Sequence, residues 1–254
     1  MTPRTVAVIP AHNEARTIAA VVRDTLLHVD AALVVDDGSS DDTAALAEQA
    51  GATVLRQSPN AGKGLALRRG IDAALQLGAE CVVTLDGDGE HVPSDIPTLL
   101  APLQYADVVL GTRQVFRSPA RKLINAFALF WFRLLDPAIL DTICGFRAFR
   151  AAALPELRSD ANGFAYEHEV ILRAVQRGLR LASVSVQVVS REGTHVTAVE
   201  ILRSNNHFDR YVLRNLAQFR VALWRKGLLA IGCGAGLVVG VPVLWHLSRR
   251  PRSG

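Results

Sequence analysis

The first half of the chain switches repeatedly between short, β-branched apolar runs and stretches with helical spacing. TVAVI (Thr5 to Ile9) is such a run, and the spacing turns helical from about Ala15 to His28. ALVV (Ala32 to Val35) predicts a second strand, after which Ser39, Ser40 and Asp41 offer caps to a helix from Asp42 to Ala50. Thr53 to Leu55 predicts a third strand and Gly64 to Leu77 a third helix. CVVTL (Cys81 to Leu85) has the pattern of a buried strand, followed by a helix near Ser94 to Leu103 and a strand at Asp107 to Leu110. This order predicts an α/β fold, a mostly parallel sheet sandwiched by helices, in which ligands gather beyond the carboxyl ends of strands. Asp36 and Asp37 follow the second strand and Asp86 and Asp88 the fourth, so carboxylates collect at that edge.

The second half is less regular. Ala120 to Leu135, which ends in AFALFWFRLL, is apolar almost all round and carries Arg121, Lys122 and Arg133, the pattern of a core helix or an interfacial membrane helix. Glu167 to Arg177 predicts an amphipathic helix and Leu181 to Val189 a further strand. From Leu228 to Leu247 there is no Asp, Glu, Lys or Arg, and about 20 helical residues span the hydrocarbon of a bilayer. Gly232, Gly236 and Gly240 have the spacing that lets membrane helices approach closely, and Pro242 weakens a soluble helix more than a membrane one. A membrane-associated helix is therefore expected, with a buried core helix as the alternative. The expected division is a catalytic domain over 1–224, then a hydrophobic helix and short basic tail over 225–254. Arg220, Arg225 and Lys226 precede that helix and Arg249, Arg250 and Arg252 follow it, so basic residues do not choose between one span and a re-entrant helix. The apolar run Val6 to Pro10 is too short for a signal peptide and belongs to a strand.

Composition narrows the class. Half of the 254 residues are hydrophobic and the formal net charge is +4, a surplus that suits an anionic membrane surface or a phosphorylated substrate. No basic-aromatic run or zinc-finger spacing points to nucleic acid. Cys81, Cys144 and Cys233 are odd in number and far apart, as expected of reduced structural thiols.

Two carboxylates one residue apart after a buried strand can turn toward one Mg²⁺ or Mn²⁺ ion, with a diphosphate supplying further oxygens. Alone, Asp86-Gly87-Asp88 reads better as a solvated, cap-rich turn. Its company is more specific: VIPAHNE (Val8 to Glu14), VVDDGSSDDT (Val34 to Thr43), NAGKGLALRRG (Asn60 to Gly70), LDGDGEH (Leu85 to His91), GTR (Gly111 to Arg113) and CGFRAFR (Cys144 to Arg150) occur in this order. Together they resemble family 2 glycosyltransferases of the GT-A fold, particularly the polyprenyl-phosphate mannosyl- and glucosyltransferases, over roughly Thr5 to Arg191. The resemblance implies an inverting hexosyl transfer from a GDP- or UDP-sugar to a polyprenyl phosphate, at a membrane and on its cytoplasmic side. It also implies that Pro10, His12, Glu14, Val35, Asp37 and Gly87 bind the nucleotide sugar. Asp86, Asp88 and Glu90 would hold Mg²⁺ or Mn²⁺, and Arg113, Arg147 and Arg191 would approach the phosphates or the acceptor. His12 stands where relatives often have Tyr, Glu90 where many have Gln, and SREGTHVT (Ser190 to Thr197) lacks the Ser-Lys that commonly follows its Gly.

Other residues keep plainer readings. Asp36 is expected to support its turn, His91 to be structural rather than a metal ligand, and Cys144 to pack rather than react. Lys63 invites a P-loop reading, which fails because Gln57 replaces the first glycine and Gly64 the Ser or Thr. His195 suits either an acceptor phosphate or a solvated loop. A polyprenyl phosphate is already anionic and needs no strong base; a hydroxyl acceptor would need one, with Asp141 or Glu167 as candidates. A phosphatase with Asp86 as nucleophile leaves the VIPAHNE and DDGSSDDT motifs unexplained.

Overall fold

A computed structural model describes residues 4–113, 129–161, 163–189, 198–223 and 225–234. Its centre is β1 (Thr5–Ala11), which is buried along its whole length because both faces are covered. Val6 and Val8 point into one apolar cluster, Ala7 and Ile9 into another on the opposite face. A run hydrophobic on both faces is the signature of an inner parallel strand. Around it lie α1 (Ile18–Leu26), β2 (Ala31–Asp37), α2 (Thr43–Gln49), β3 (Thr53–Gln57), α3 (Lys63–Gln76), β4 (Cys81–Thr84), α4 (Ile96–Leu100) and β5 (Val108–Arg113). A helical stretch over 129–135 (α5), β6 (Arg147–Arg150), α6 (Phe164–Arg177), β7 (Leu181–Val186), α7 (Ala198–Asn215) and a helix over 225–234 (α8) complete the described chain.

The strands form one seven-stranded sheet in the order β3-β2-β1-β4-β6-β5-β7. Only β6 runs against its neighbours, antiparallel to both β4 and β5. The expected mostly parallel sheet is thus present, with one reversed inner strand that the sequence pattern did not reveal. β1 lies between β2 and β4, so the chain leaves it to opposite sides and a crevice opens at the carboxyl ends of those three strands.

Local chemistry explains where the elements stop. The helix expected over Ser94 to Leu103 is broken into short helical turns, each with a proline in its first positions: Pro93, Pro97 and Pro102. Proline starts a turn well and cannot continue one, since it lacks the amide hydrogen. Gly70 sets how closely α3 lies on the sheet: a β-carbon there would stand 2.3 Å from Val8 Cγ1 and 2.9 Å from Val35 Cγ2. Gly70→Ala is therefore expected to lower unfolding stability by about 3 kcal/mol in urea melts, because neither the helix nor the buried strands can retreat.

Two helices on the α6 side carry the second half. α7 packs on α6, with Phe208 and Val212 buried in the same cluster as Val170 and Ile171. α8 approaches α5 so closely that a β-carbon on Gly232 would lie 2.1 Å from the Trp131 ring. The Cys233 thiol donates to the Asp209 carboxylate between α8 and α7, and burial pushes the Asp209 carboxyl up to about 6 despite that bond. An aspartate in the unfolded chain titrates near roughly 4. Between those values the folded state holds a proton that the unfolded state has lost, so stability falls as pH rises through about 4 to 6. Asp209→Asn is expected to flatten this slope and to stabilise the protein at neutral pH, as read by denaturant melts on both sides of the window. Among the described residues no helix is long and apolar enough to cross a membrane. Most of the apolar run from Leu228 to Leu247, the first part of Ala120 to Leu135, and His195 lie outside the described residues.

Candidate functional site

A cleft of about 330 Å³ lies at the carboxyl ends of β1, β2 and β4, lined among others by Pro10, His12, Glu14, Asp37, Lys63 and Asp86 to Asp88. The turn carrying Asp86-Gly87-Asp88 is anchored from both sides. Thr17, the residue before α1, donates its hydroxyl to Gly87 O at 2.7 Å. The Asp86 amide donates to His91 Nδ1 at 3.2 Å, which leaves the other ring nitrogen to carry hydrogen, 3.8 Å from Cys144 Sγ. His91 is buried, stacks on Phe146 and bridges to Val188, while Val189 N donates to Glu90 O at 2.9 Å. Burial lowers the His91 pKa and pushes the Cys144 thiol up to about 12. Both are packing groups, as expected, although the thiol has an imidazole neighbour that the sequence did not suggest.

Asp86 and Asp88 differ in environment. Lys63 Nζ sits 2.8 Å from Asp86 Oδ1 and 2.8 Å from Glu167 Oε1, bridging α3 to the turn and to α6. Burial raises the Asp86 pKa, but the Lys63 ammonium, helped by His91, outweighs it and holds the carboxylate below its usual range. Gly145 makes room for this pair: a β-carbon there would stand 3.1 Å from both Asp86 Oδ2 and Lys63 Nζ. Asp88 has no such cation among the described residues. Burial first, then the charges of Asp86, Glu90 and Glu14, raise it to about 6, against the Glu90 amide that donates to its Oδ1 at 2.8 Å.

The β1 and β2 ends build the other wall. Asp37 accepts Ala61 N at 2.7 Å and Gly62 N at 2.8 Å, as well as the Gln57 amide, so it ties down the loop that starts α3. Its Oδ2 takes only one of these bonds and keeps a lone pair for a ligand. His12 is exposed at the rim, with Nδ1 donating to Asp37 O at 3.0 Å and Nε2 facing the Asn13 amide at 3.3 Å. Asp36 accepts Ser39 N at 3.1 Å, the turn-supporting role expected of it.

The sequence profile of glycosyl transferase family 2 matches residues 6–158. The chain belongs to this family. Undecaprenyl-phosphate mannosyltransferase of Micrococcus luteus is 31% identical over 210 residues, covering 74% of this chain and 85% of the relative. Polyprenol monophosphomannose synthase of Mycolicibacterium smegmatis is 31% identical over 216 residues, covering 75% and 79%. The crystal structure of Mycobacterium tuberculosis glucosyl-3-phosphoglycerate synthase with Mn²⁺, uridine diphosphate and glucosyl-3-phosphoglycerate is similar at a TM-score of 0.68 and 25% identity, covering 84% of this chain and 80% of that one. The fold is accordingly GT-A, and the protein is a nucleotide-sugar glycosyltransferase.

In this family 2 enzyme the cleft brings together Pro10, His12, Glu14, Asp37, Asp86, Gly87 and Asp88, residues assigned to donor and metal from sequence. Three of the other assignments differ in place. The Val35 side chain is buried under Gly70 rather than turned to the cleft. Arg147 requires a correction. It is 3% exposed and donates to the carbonyls of Cys144, Glu167 and Thr142 at 2.9, 2.9 and 3.0 Å, so its guanidinium braces the fold beneath the site instead of meeting phosphate. Burial lowers its pKa, and the charge of nearby Glu167, with Cys144 and Asp141, offsets this only in part. Nor do Asp86, Asp88 and Glu90 converge as a three-ligand metal cluster; among the described residues no such cluster exists. Asp86 faces Lys63 through Oδ1, which leaves Oδ2 outside that pair, and the Glu90 charge acts on Arg113, whose pKa rises because Asp141, with help from Cys144 and Glu90, outweighs burial.

Arg113 is held by Asp141 through two bonds, Nε to Oδ2 at 2.8 Å and an Nη to Oδ1 at 3.1 Å. Asp141 is 1% exposed and also accepts the amides of Ile143 and Cys144. It orients an arginine and caps a turn. Arg191 lies outside the described residues. Lys63 is the functional-site residue that sequence reasoning missed. The NAGKG motif held it, but its failure as a P-loop lysine hid its use as a partner of Asp86.

Proposed function

We propose that the enzyme transfers a hexose from a GDP- or UDP-sugar to a polyprenyl phosphate, inverting the anomeric carbon by direct displacement. The observation that carries this reading is the pairing of the two candidate bases. Asp141 is occupied by Arg113 and two amides, and the buried Glu167 by Lys63. A site whose candidate bases are both neutralised suits an acceptor that arrives already ionised, which a phosphate does and a sugar hydroxyl does not. The names of the two mannosyl-transferring relatives support the same acceptor class.

In this reading the nucleoside lies along Pro10, His12 and Asp37, and the diphosphate reaches Asp86-Gly87-Asp88. Asp88 fits a divalent cation: it is a desolvated carboxylate among Asp86, Glu90 and Glu14, with no cationic partner among the described residues. Asp88, joined by Asp86, would hold Mg²⁺ or Mn²⁺, and such an ion supplies Lewis-acid stabilisation of the departing diphosphate. Lys63 contributes a fixed positive charge beside Asp86, and Asp141 keeps Arg113 oriented, its charge intact and near enough to act on Asp86. The division into a catalytic domain over 1–224 and a membrane-associated segment over 225–254 belongs to the same proposal, with the catalytic domain on the cytoplasmic side, where nucleotide sugars are made. Incubating membranes that contain the protein with a panel of radiolabelled nucleotide sugars and extracting the lipid tests it. Label should appear in an acid-labile, anionic lipid; label only in a soluble product would replace the acceptor and spare the family.

A further inference from the structure

Away from the sugar-nucleotide cleft, a second and larger groove of about 520 Å³ runs between the outer faces of α6 and α7. Arg173 and Arg177 line it from α6; His207, Arg210, Tyr211 and Arg214 line it from α7. The α7 residues recur at helical spacing, so they form one stripe beside the buried stripe of Phe208 and Val212. The groove's cations are not all balanced. Glu169 pairs with Arg173 at 2.8 Å and with His207 at 2.7 Å, and Glu156 pairs with Arg177 at 3.2 Å. Arg210 and Arg214 are exposed and have no ion pair among the described residues. They are one helical turn apart, a like-charge spacing that destabilises a helix unless an anion lies over it.

The chain leaving this groove turns apolar. Gln218 lines the groove and bonds to Gln176, Phe219 is buried as an anchor, and Leu223 and Ile231 then stand 85% and 73% exposed. Arg220 is exposed in the same segment, and Lys226 donates to Ala217 O at 3.1 Å. Exposed arginines that lack an ion pair among the described residues, followed along the chain by exposed aliphatic side chains, match a bilayer surface, which offers phosphate oxygens and hydrocarbon together, whereas a soluble anion uses only the first.

We propose that the α6–α7 groove docks the enzyme on an anionic lipid bilayer, with Arg210 and Arg214 meeting the phosphates of the headgroups and Leu223 and Ile231 entering the interface. The inference rests on the lipid-acceptor reading in placing the enzyme at a bilayer, and it goes further in assigning the surface that faces it. A basic residue at an anionic surface strengthens partitioning about fivefold, so R210Q/R214Q should weaken the anionic-lipid part of vesicle binding about 25-fold.

The decisive experiment reconstitutes the full chain in nanodiscs of phosphatidylglycerol or of phosphatidylcholine and maps arginine modification by phenylglyoxal with mass spectrometry. Arg210 and Arg214 should be protected only in phosphatidylglycerol, while Arg56 and Arg158, exposed elsewhere, react equally in both. This comparison does not depend on whether the apolar tail inserts, because the tail meets hydrocarbon in either disc. Equal reaction of Arg210 in both discs overturns the proposal. Protection in phosphatidylcholine by added inorganic phosphate or by polyuridylate also overturns it, in favour of a soluble phosphate or a nucleic acid. Sugar transfer measured in the same discs separates the two readings: protection without transfer to lipid sinks the acceptor assignment alone, and transfer without protection sinks the groove alone.

Discussion

Asp88→Ala is expected to reduce sugar transfer about 100- to 1,000-fold, the range typical of losing one preorganised electrostatic contact to a developing charge. The same substitution should leave the protein as stable as before or more so. Asp88 is desolvated and sits among Asp86, Glu90 and Glu14, which is why its carboxyl is raised to about 6. Among the described residues, the hydrogen bond from the Glu90 amide opposes this repulsion. Deleting the side chain thus removes a strained charge from the ligand-free protein while removing a proposed metal ligand from the working one. Sites kept for chemistry at the expense of stability behave in this way. Transfer assays and thermal melts on one preparation check it. A large loss of melting temperature alongside lost activity would identify Asp88 as a structural residue and remove it from the metal site.

Lys63→Met should destabilise the fold by about 3 kcal/mol or more, because it strands a buried carboxylate. The Glu167 side chain is 3% exposed, and Lys63 is its partner among the described residues. Asp86, at 27% exposure, can recover some solvation; Glu167 cannot. The prediction has an internal control. Glu167→Gln alone leaves Lys63 paired with Asp86 and should cost less, and K63M/E167Q should recover most of what K63M loses. Denaturant melts of the four proteins form a double-mutant cycle whose coupling term isolates the buried pair. Additive losses would mean that Lys63 supports the fold through packing alone. Transfer by the double variant then asks a separate question, whether a fixed cation beside Asp86 is needed once stability is restored.

The first half of the fold was legible for a simple reason. Strands such as Thr5–Ala11 and Ala31–Asp37 are covered on both faces, so burial writes itself into the sequence as unbroken apolar runs. β6 was not legible, because Arg147 and Arg150 bracket its two apolar residues and disguise an inner strand as a charged motif. α7 was not legible either: the Ser204-Asn205-Asn206 stretch in its middle favours local hydrogen bonds over helix, and packing on α6 overrides it. At the site, the carboxylates Asp37, Asp86 and Asp88 were found because strand-end position identifies them. Arginines were harder. Arg113 and Arg147 look alike as motif residues, yet one is presented by a buried aspartate and the other is consumed by carbonyls. Residue type reports available charge; only partners report whether that charge is spent.

The reversed course of β6 has a consequence for how this enzyme can change. Leu110 on β5 pairs directly with Arg147 on β6, so the chain departs from the β5–β6 ladder and rejoins it at directly paired positions, while Gly111 to Arg113 stay paired with β7. A segment closed at a fixed short gap pays an entropy that grows only with the logarithm of its length, about 0.6 kcal/mol per doubling. Insertions between 114 and 128, away from Phe132, Asp141 and Gly145, should therefore be tolerated without disturbing the register of β1, β2 and β4. The half of the cleft proposed to grip the nucleotide is in this sense insulated from changes of length in that stretch.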